Sequence, residues 1–302
     1  MDAHSSSLKA ILYAFLANLA IAIAKGTAAF LTGSGSMMAE TIHSVADCGN
    51  QALLYYGIKR AQRPATKEYP LGFGKAVYFW SFIVALMLFS LGGLFSACEG
   101  IHKILQPEPI SKPQLALGIL GFSIVLEGFS LLGAIKETRK IMEGKKVAQW
   151  IKSTRNAELL VVLGEDFAAI TGLVFAFIFI LLSWITGNPV YDSIGSVIIG
   201  VILLLISFFL MNRIQALLIG RSAEPEIAHF IAAQISKDKN IEEIYNIITM
   251  HMGAQVMLAA KIRMNEKLSI KQACIAINKL EEVIHKEFPE IKWTFIEPDI
   301  EN

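Results

Sequence analysis

The feature that most limits what this chain can become is a series of six long apolar blocks. Each is close to the roughly 20 residues that a helix needs to cross a bilayer. They run from about Leu8 to Leu31, Met37 to Ile58, Val77 to Ile104, Leu115 to Ile135, Leu159 to Ile185 and Ser193 to Met211. Of the 302 residues, 54% are hydrophobic and 18% charged; a soluble domain has about 45–50% and about 25%. That balance excludes a disordered tail and a simple soluble enzyme. A net charge of +1 gives no general attraction to nucleic acid. Cys48, Cys98 and Cys274 lie far apart without a CxxC pair, which argues against a zinc finger or a disulfide scaffold. The first block is too long for a signal peptide and shows no small-residue cleavage site, so it reads as a retained span.

The loops predict the orientation. Lys59, Arg60, Arg63, Lys67 and Lys75 surround the second connection. Lys136, Arg139, Lys140, Lys145, Lys146, Lys152 and Arg155 crowd the fourth, and Arg213 and Arg221 follow the sixth block. The first, third and fifth connections carry few positive charges. Positive residues stay on the cytoplasmic side, so both termini are expected there, in agreement with an even helix count.

Residues 1–212 thus read as a six-helix membrane domain and 213–221 as a connector. Residues 222–302 read as a charged α+β domain on the cytoplasmic side. In it, Glu224–Lys237 is expected to be a helix and Ile241–Met250 a strand. Val256–Met264 alternates as a strand does, with Val256, Leu258, Ala260, Ile262 and Met264 on one face. Ser269 and Gln272 form a capping box. The helix behind them is expected to bury Ile270, Ala273, Ile277, Ile284 and Phe288, and Ile291–Ile296 closes the domain as a strand. No nucleotide-binding glycine loop, HExxH or GxSxG occurs. No catalytic or cofactor-binding residue is therefore assigned.

Charges inside the spans carry the functional reading, because each costs at least about 2.5 kcal/mol at mid-membrane. Glu40, His43, Asp47 and Asn50 follow one another at steps of three, four and three, which puts all four on one helical face. His43 and Asp47 are one turn apart, and an imidazole and a carboxylate at that spacing suit a small divalent cation such as zinc. A hydrogen-bonded polar seam between helices is the structural alternative. In the fifth block, Glu165 and Asp166 are adjacent and point about 100° apart, so only one is expected to face a given partner. The other is free to pair with Lys25. Glu127, between Ser123 and Ser130, is expected to be a structural hydrogen-bonder, with a proton site as the alternative. Asn18 and Lys25, seven apart, are expected to share a cavity. Asp192 is expected to cap the sixth helix.

His43-Ser44-Val45-Ala46-Asp47 resembles the second-helix HxxxD of the cation diffusion facilitator family. Pro70-Leu71-Gly72-Phe73-Gly74-Lys75 is similar to its lead into the third helix, and Tyr191-Asp192-Ser193-Ile194-Gly195-Ser196 to its lead into the sixth. Ala39–Gln51, Leu163–Gly172, Thr186–Ser196 and Leu218–Glu226 resemble the zinc transporter 9 branch most closely. The resemblance implies six transmembrane helices followed by a cytoplasmic αββαβ, ferredoxin-like domain. It also implies a homodimeric, proton-coupled secondary transporter that moves divalent metal out of the cytosol. The metal is substrate rather than permanent cofactor.

In well-known members two helix-two and two helix-five ligands form a tetrahedral site. His43, Asp47 and Asp166 match three of them; Val162 stands at the fourth, where Glu165, or a water, is the candidate to complete the shell. Glu40, Asn50, Glu127, Asn18 and Lys25 are left as proton-coupling or supporting candidates. Thr66-Lys67-Glu68-Tyr69 lacks the loop ligands of well-known bacterial members. Ala259-Ala260-Lys261 and Phe295-Ile296-Glu297-Pro298-Asp299 lack their His-rich cluster; His251, Glu297 and Asp299 are expected to form a solvated surface, with metal binding as the alternative.

The resulting expectation is a zinc/proton antiporter in a bacterial inner membrane or an organelle membrane, with no nucleic acid partner. Iron(II), cobalt and manganese stay open as cargo. A membrane-anchored scaffold and a metal-dependent membrane enzyme are the readings from other classes.

Overall fold

The computed structural model of the protein describes residues 18–141, 150–151 and 154–301. Its helices are α1 (Asn18–Thr32), α2 (Gly35–Ala61), α3 (Ala76–Leu105), α4 (Pro113–Ile141), α5 (Ala157–Thr186) and α6 (Val190–Ile219). Then follow α7 (Pro225–Lys237), β1 (Ile241–Met252), β2 (Gln255–Met264), α8 (Ile270–Glu287) and β3 (Ile291–Pro298). Among the described residues, four helices are long and apolar enough to cross a membrane: α3, α4 as far as Lys136, α5 and α6. The described part of α1 is shorter. α2 is long, but its polar stripe, buried at Glu40, His43 and Asn50, lowers its apolarity. The beginning of the first apolar block lies outside the described residues. The sixth helix runs on to Ile219, so most of the expected 213–221 connector is helical.

The chain divides into two compact units. One holds the residues to Gly57, those from Trp80 through α4, and Glu158–Ile214. The other holds Ile58–Phe79, Ala157 with the described residues just before it, and Gln215 onward.

In the helical unit the packing relies on absent side chains. A Cβ on Gly200 would meet the Ala97 backbone nitrogen at 2.4 Å, and one on Gly93 would meet the Leu204 nitrogen at 2.9 Å. These glycines let α3 and α6 touch backbone to backbone, the usual device of membrane helices. Ser196 adds a 3.0 Å hydrogen bond from its hydroxyl to the Ser96 carbonyl. α3 widens into a π-helical turn at Leu88–Leu94, a distortion often found at functional sites.

The start of α2 is held from α6. Ser34 accepts from the Met37 N–H at 3.1 Å as a normal N-cap. The Asp192 carboxylate then accepts from the Ser34 hydroxyl at 2.8 Å, the Gly35 N–H at 2.7 Å and the Ser36 N–H at 3.2 Å. Asp192 stands in the first turn of α6, as expected, but the N–H groups it satisfies belong to α2. The carboxylate is only 3% exposed, and the neighbouring helix offers the nearest unpaired donors.

In the other unit, β1 pairs antiparallel with β2, and β3 pairs parallel with β2 across α8. The sheet order is β1-β2-β3. Val256, Leu258, Ala260 and Ile262 of β2 alternate into the core, with Ile227, Ile231 and Ile235 of α7 packed against them. The Ser269–Gln272 capping box is present. The buried row of α8 is Ala276, Leu280 and Ile284; of the expected face, Ile284 is buried, Phe288 packs on the core and Ala273 and Ile277 are half-buried, and only Ile270 is corrected. Ile270, in the first turn, is 85% exposed, because the inward stripe repeats every four residues back from Ile284 and misses it.

Gly253 opens the turn between β1 and β2 at φ +80°, a conformation glycine adopts freely. A Cβ on Gly74 would lie 1.8 Å from the Met252 carbonyl oxygen. The loop before α3 therefore lies directly on this turn, and the Tyr78 hydroxyl donates to the Gly253 carbonyl at 3.1 Å.

A candidate metal centre within the helical unit

α1, α2, α4 and α5 enclose a cavity of about 30 Å³, room for a bare ion or a water or two. Asn18 comes from α1. Ser44, Asp47 and Gln51 come from α2, Glu127 and Ser130 from α4, and Glu165, Asp166 and Ala169 from α5. Among the described residues, four carboxyl groups and no basic residue line it. A low-dielectric pocket with acids alone attracts cations and repels anions.

Both helix-five acids reach this cavity. The expectation that only one faces it is corrected: the cavity lies between α2 and α4, so side chains about 100° apart reach different parts of its wall. Glu165 is buried and accepts a 2.6 Å hydrogen bond from the Asn50 amide. Asp166 and Glu127 are half-buried. Glu127 thus stands among the site's acids. Gln51 and Ser44, not singled out as candidates from the sequence, also line the cavity. Their signal was position, one helical turn to either side of Asp47.

His43 is not part of the lining. Its Nε2 lies 3.5 Å from Asp47 Oδ2, close enough for charge interaction but too long for a good hydrogen bond. Its Nδ1 faces the π-helical turn, where a Cβ on Gly92 would stand 4.0 Å away. Neither ring nitrogen has a hydrogen-bond partner, and neither do Asp47 Oδ1 or Asp166 Oδ2. Buried polar atoms are normally paired, so these are unusual and fit a place where something polar comes and goes. Among the described residues, no three His, Cys, Asp or Glu side chains converge as a ready cage for an ion.

Lys25 pairs elsewhere than expected. Its ammonium lies 3.3 Å from Glu40 Oε2 and donates to the Ser44 hydroxyl at 2.8 Å, so the acid it meets is on α2 and not α5. Glu40 is reachable because Gly172 of α5 leaves it space; a Cβ there would stand 2.3 Å from Glu40 Oε1. Asn18 lines the cavity while Lys25 does not, so the two do not share it.

In the sheet-bearing unit His251 is buried and meets Glu224 at 3.0 Å, and Asp299 meets Lys261 at 2.5 Å. His251 is therefore not on a solvated surface: the carboxylate of Glu224 holds it at the end of β1. Burial works against ionising Glu224, but the hydrogen bond and charge of His251 outweigh it and keep its carboxyl below the usual value.

Residues 11–218 match the cation efflux transmembrane domain. The chain is 38% identical over 224 residues to the mitochondrial proton-coupled zinc antiporter SLC30A9 of Xenopus laevis, covering 74% of this chain and 40% of that protein. It is 32% identical over 247 residues to metal tolerance protein C4 of Arabidopsis thaliana, covering 81% and 54%. Magnetosome protein MamB of Magnetospirillum gryphiswaldense is 22% identical over 278 residues, covering 92% and 88%. The chain thus spans about half the length, or less, of the relatives it matches at higher identity. With the transmembrane domain matched over most of the chain, and with the SLC30A9 antiporters among the most similar proteins, this is a membrane protein of the cation efflux family, on its zinc transporter 9-like branch.

Proposed function

We propose that the protein is a proton-coupled secondary transporter that exports divalent metal, zinc first among them, from the cytosol by alternating access. The observation that carries this is the acid-lined cavity beside His43. A bare divalent cation inside a membrane needs several anionic or imidazole donors, and Asp47, Glu127, Glu165 and Asp166 supply the charge. The unpartnered atoms of His43, Asp47 and Asp166 are the donor types zinc takes.

Metal binds these groups only when they are deprotonated, so protons compete for the same site. Neutralising the cavity with either occupant lowers the cost of reorienting it. For zinc, His43 turns into the cavity from its place 3.5 Å from Asp47, and Glu165 or a water completes the shell in place of Val162. The names of the SLC30A9 relatives support the zinc and proton assignments.

The same reading includes six spans, with α1 and α2 crossing alongside the four more apolar helices. It places both termini in the cytoplasm, in a bacterial inner membrane or its organelle counterpart. It treats α7 to β3 as a ferredoxin-like relative that joins two copies. Ile248 and Phe295, 51% and 55% exposed, flank Ala259 on the sheet face opposite the helices. Such an apolar row suits a homodimer contact.

A second reading has one observation behind it. The cavity lining is all oxygen with respect to charged donors, and His43 stays outside it. Oxygen-rich sites suit manganese or iron(II) better than zinc. The experiment that tests both is metal-dependent proton flux with the purified protein in liposomes, across zinc, iron(II), cobalt and manganese. Zinc-driven proton movement supports the first reading, a manganese or iron optimum the second. No flux with any of the four overturns transport.

A further inference from the structure

Beyond Ser44, in the direction of Gly35 along α2, an ion pair adjoins the cavity lining. Lys25 and Glu40 are both fully buried. The Lys25 ammonium is shared between Glu40 Oε2 at 3.3 Å and the hydroxyl of Ser44 at 2.8 Å, and Ser44 itself lines the cavity. Glu40 lies seven residues before Asp47 on α2, about 10 Å along the helix. Its second oxygen has no hydrogen-bond partner. A cation leaving Asp47 towards the Gly35 end of α2 must pass this carboxylate.

Stability alone does not explain the pair. Replacing a buried ion pair by packed apolar groups is often neutral or stabilising, and inside a membrane span each charge carries a further cost. The pair joins α1 to α2 beside Ser44, which lines the cavity. Resting on the transport reading, we propose that Lys25 and Glu40 form the gate on the Gly35 side of the cavity. In the closed state the ammonium of Lys25 holds the cation position on Glu40 and Ser44. A divalent ion moves towards Gly35 only by taking that position, and this requires α1 to separate from α2.

Two variants test it in liposomes with zinc as the probe. Lys25→Met with Glu40→Gln removes both charges together and leaves neither unpaired. It is expected to raise passive zinc leak, without a proton gradient, about tenfold, the effect of lowering a barrier by about 1.4 kcal/mol. It should also at least halve the protons moved per zinc. An unchanged leak and an unchanged ratio overturn the gate.

The second variant holds the gate shut. A Cβ on Gly26 would stand 3.2 Å from Thr41 Cγ2, so cysteines at these two positions lie side by side across α1 and α2. Gly26→Cys with Thr41→Cys, once oxidised, is expected to bind zinc in detergent yet lose zinc flux at least about tenfold, with recovery on reduction. Flux at the parent rate in the oxidised protein overturns the gate. Failure of the transport reading looks different: the unaltered protein then moves no zinc at all.

Discussion

In the sheet-bearing unit, His251 has Glu224, Lys261 has Asp299, and Ser269 has Gln272. In the helical unit, Glu40 Oε1, both His43 nitrogens, Asp47 Oδ1, Asn50 Oδ1 and Asp166 Oδ2, with the Ser81 and Ser96 hydroxyls of α3, are buried without a hydrogen-bond partner. Among the described residues, the sheet-bearing unit adds only Arg263 Nε to such atoms, and Glu242 stands 3.6 Å from it. One unit is folded as a module whose polar groups answer one another. The other leaves polar atoms unanswered, most of them on α2, although in a span each should cost more. The difference points to where function lies: most of the bundle's unpaired atoms belong to α2 and α5 side chains at or near the acidic cavity.

Three substitutions can break or sharpen that contrast. The largest effect is expected in the module. Gly74→Ala puts a Cβ against the Met252 carbonyl, which cannot move without disturbing the β1–β2 turn. The cost should be about 3 kcal/mol, the upper part of the usual range for overpacking. Chemical unfolding of the full chain, followed by hydrogen exchange of β1 and β2, reads it. A parent-like profile would mean that the loop and turn do not touch.

Next comes the latch at the start of α2. Asp192→Ala leaves the Ser34 hydroxyl and the Gly35 and Ser36 N–H groups buried without their acceptor. A loss of about 1–3 kcal/mol follows for such stranded donors, seen as a lower melting temperature in detergent. Asp192→Asn keeps an acceptor oxygen and should recover most of it. If the two variants melt alike, the capping account of Asp192 is wrong.

The smallest effect concerns pH. Glu224 has a carboxyl pKa held below its ordinary 4.5 by His251. A group with a lower pKa in the folded than in the unfolded state adds stability that is complete above the unfolded value. That stability is lost as pH falls through the folded one. The end of β1 should therefore loosen only as the pH drops through and below 4.5. Glu224→Gln should flatten that acid limb and cost less than about 1 kcal/mol at neutral pH. Hydrogen exchange at Thr249–Met252 between pH 3 and pH 7 measures it; an unaltered acid limb in the variant removes Glu224 from the account.

What could be read from the chain follows the range of the interactions. The membrane blocks, the buried polar stripe of α2, the alternation of β2 and the Ser269 capping box depend on neighbours within a turn or two. They are visible in spacing alone. The partner of Lys25 was not: whether its ammonium meets α5 or α2 depends on Gly172 leaving room for Glu40, a fact of packing 132 positions away from Glu40 in sequence. The same holds for Asp192, whose place in α6 was legible while the helix it caps was not. In sequence Glu165 and Asp166 stand as rivals because helix geometry separates them, but a cavity bounded by the other helices accepts both. The α8 face was misread at Ile270, where a hydrophobic residue in the first turn falls off the buried stripe.

The central claim is that the acidic cavity and the imidazole beside it are the place where the cation binds. The most direct measurement is zinc flux into liposomes by Asp47→Ala and His43→Ala, compared with the parent protein at equal reconstituted amounts. The account predicts a loss of at least about 100-fold for each, as a metal site stripped of a ligand should show no less than one stripped of a supporting contact. Zinc flux at the parent rate in both variants would contradict it.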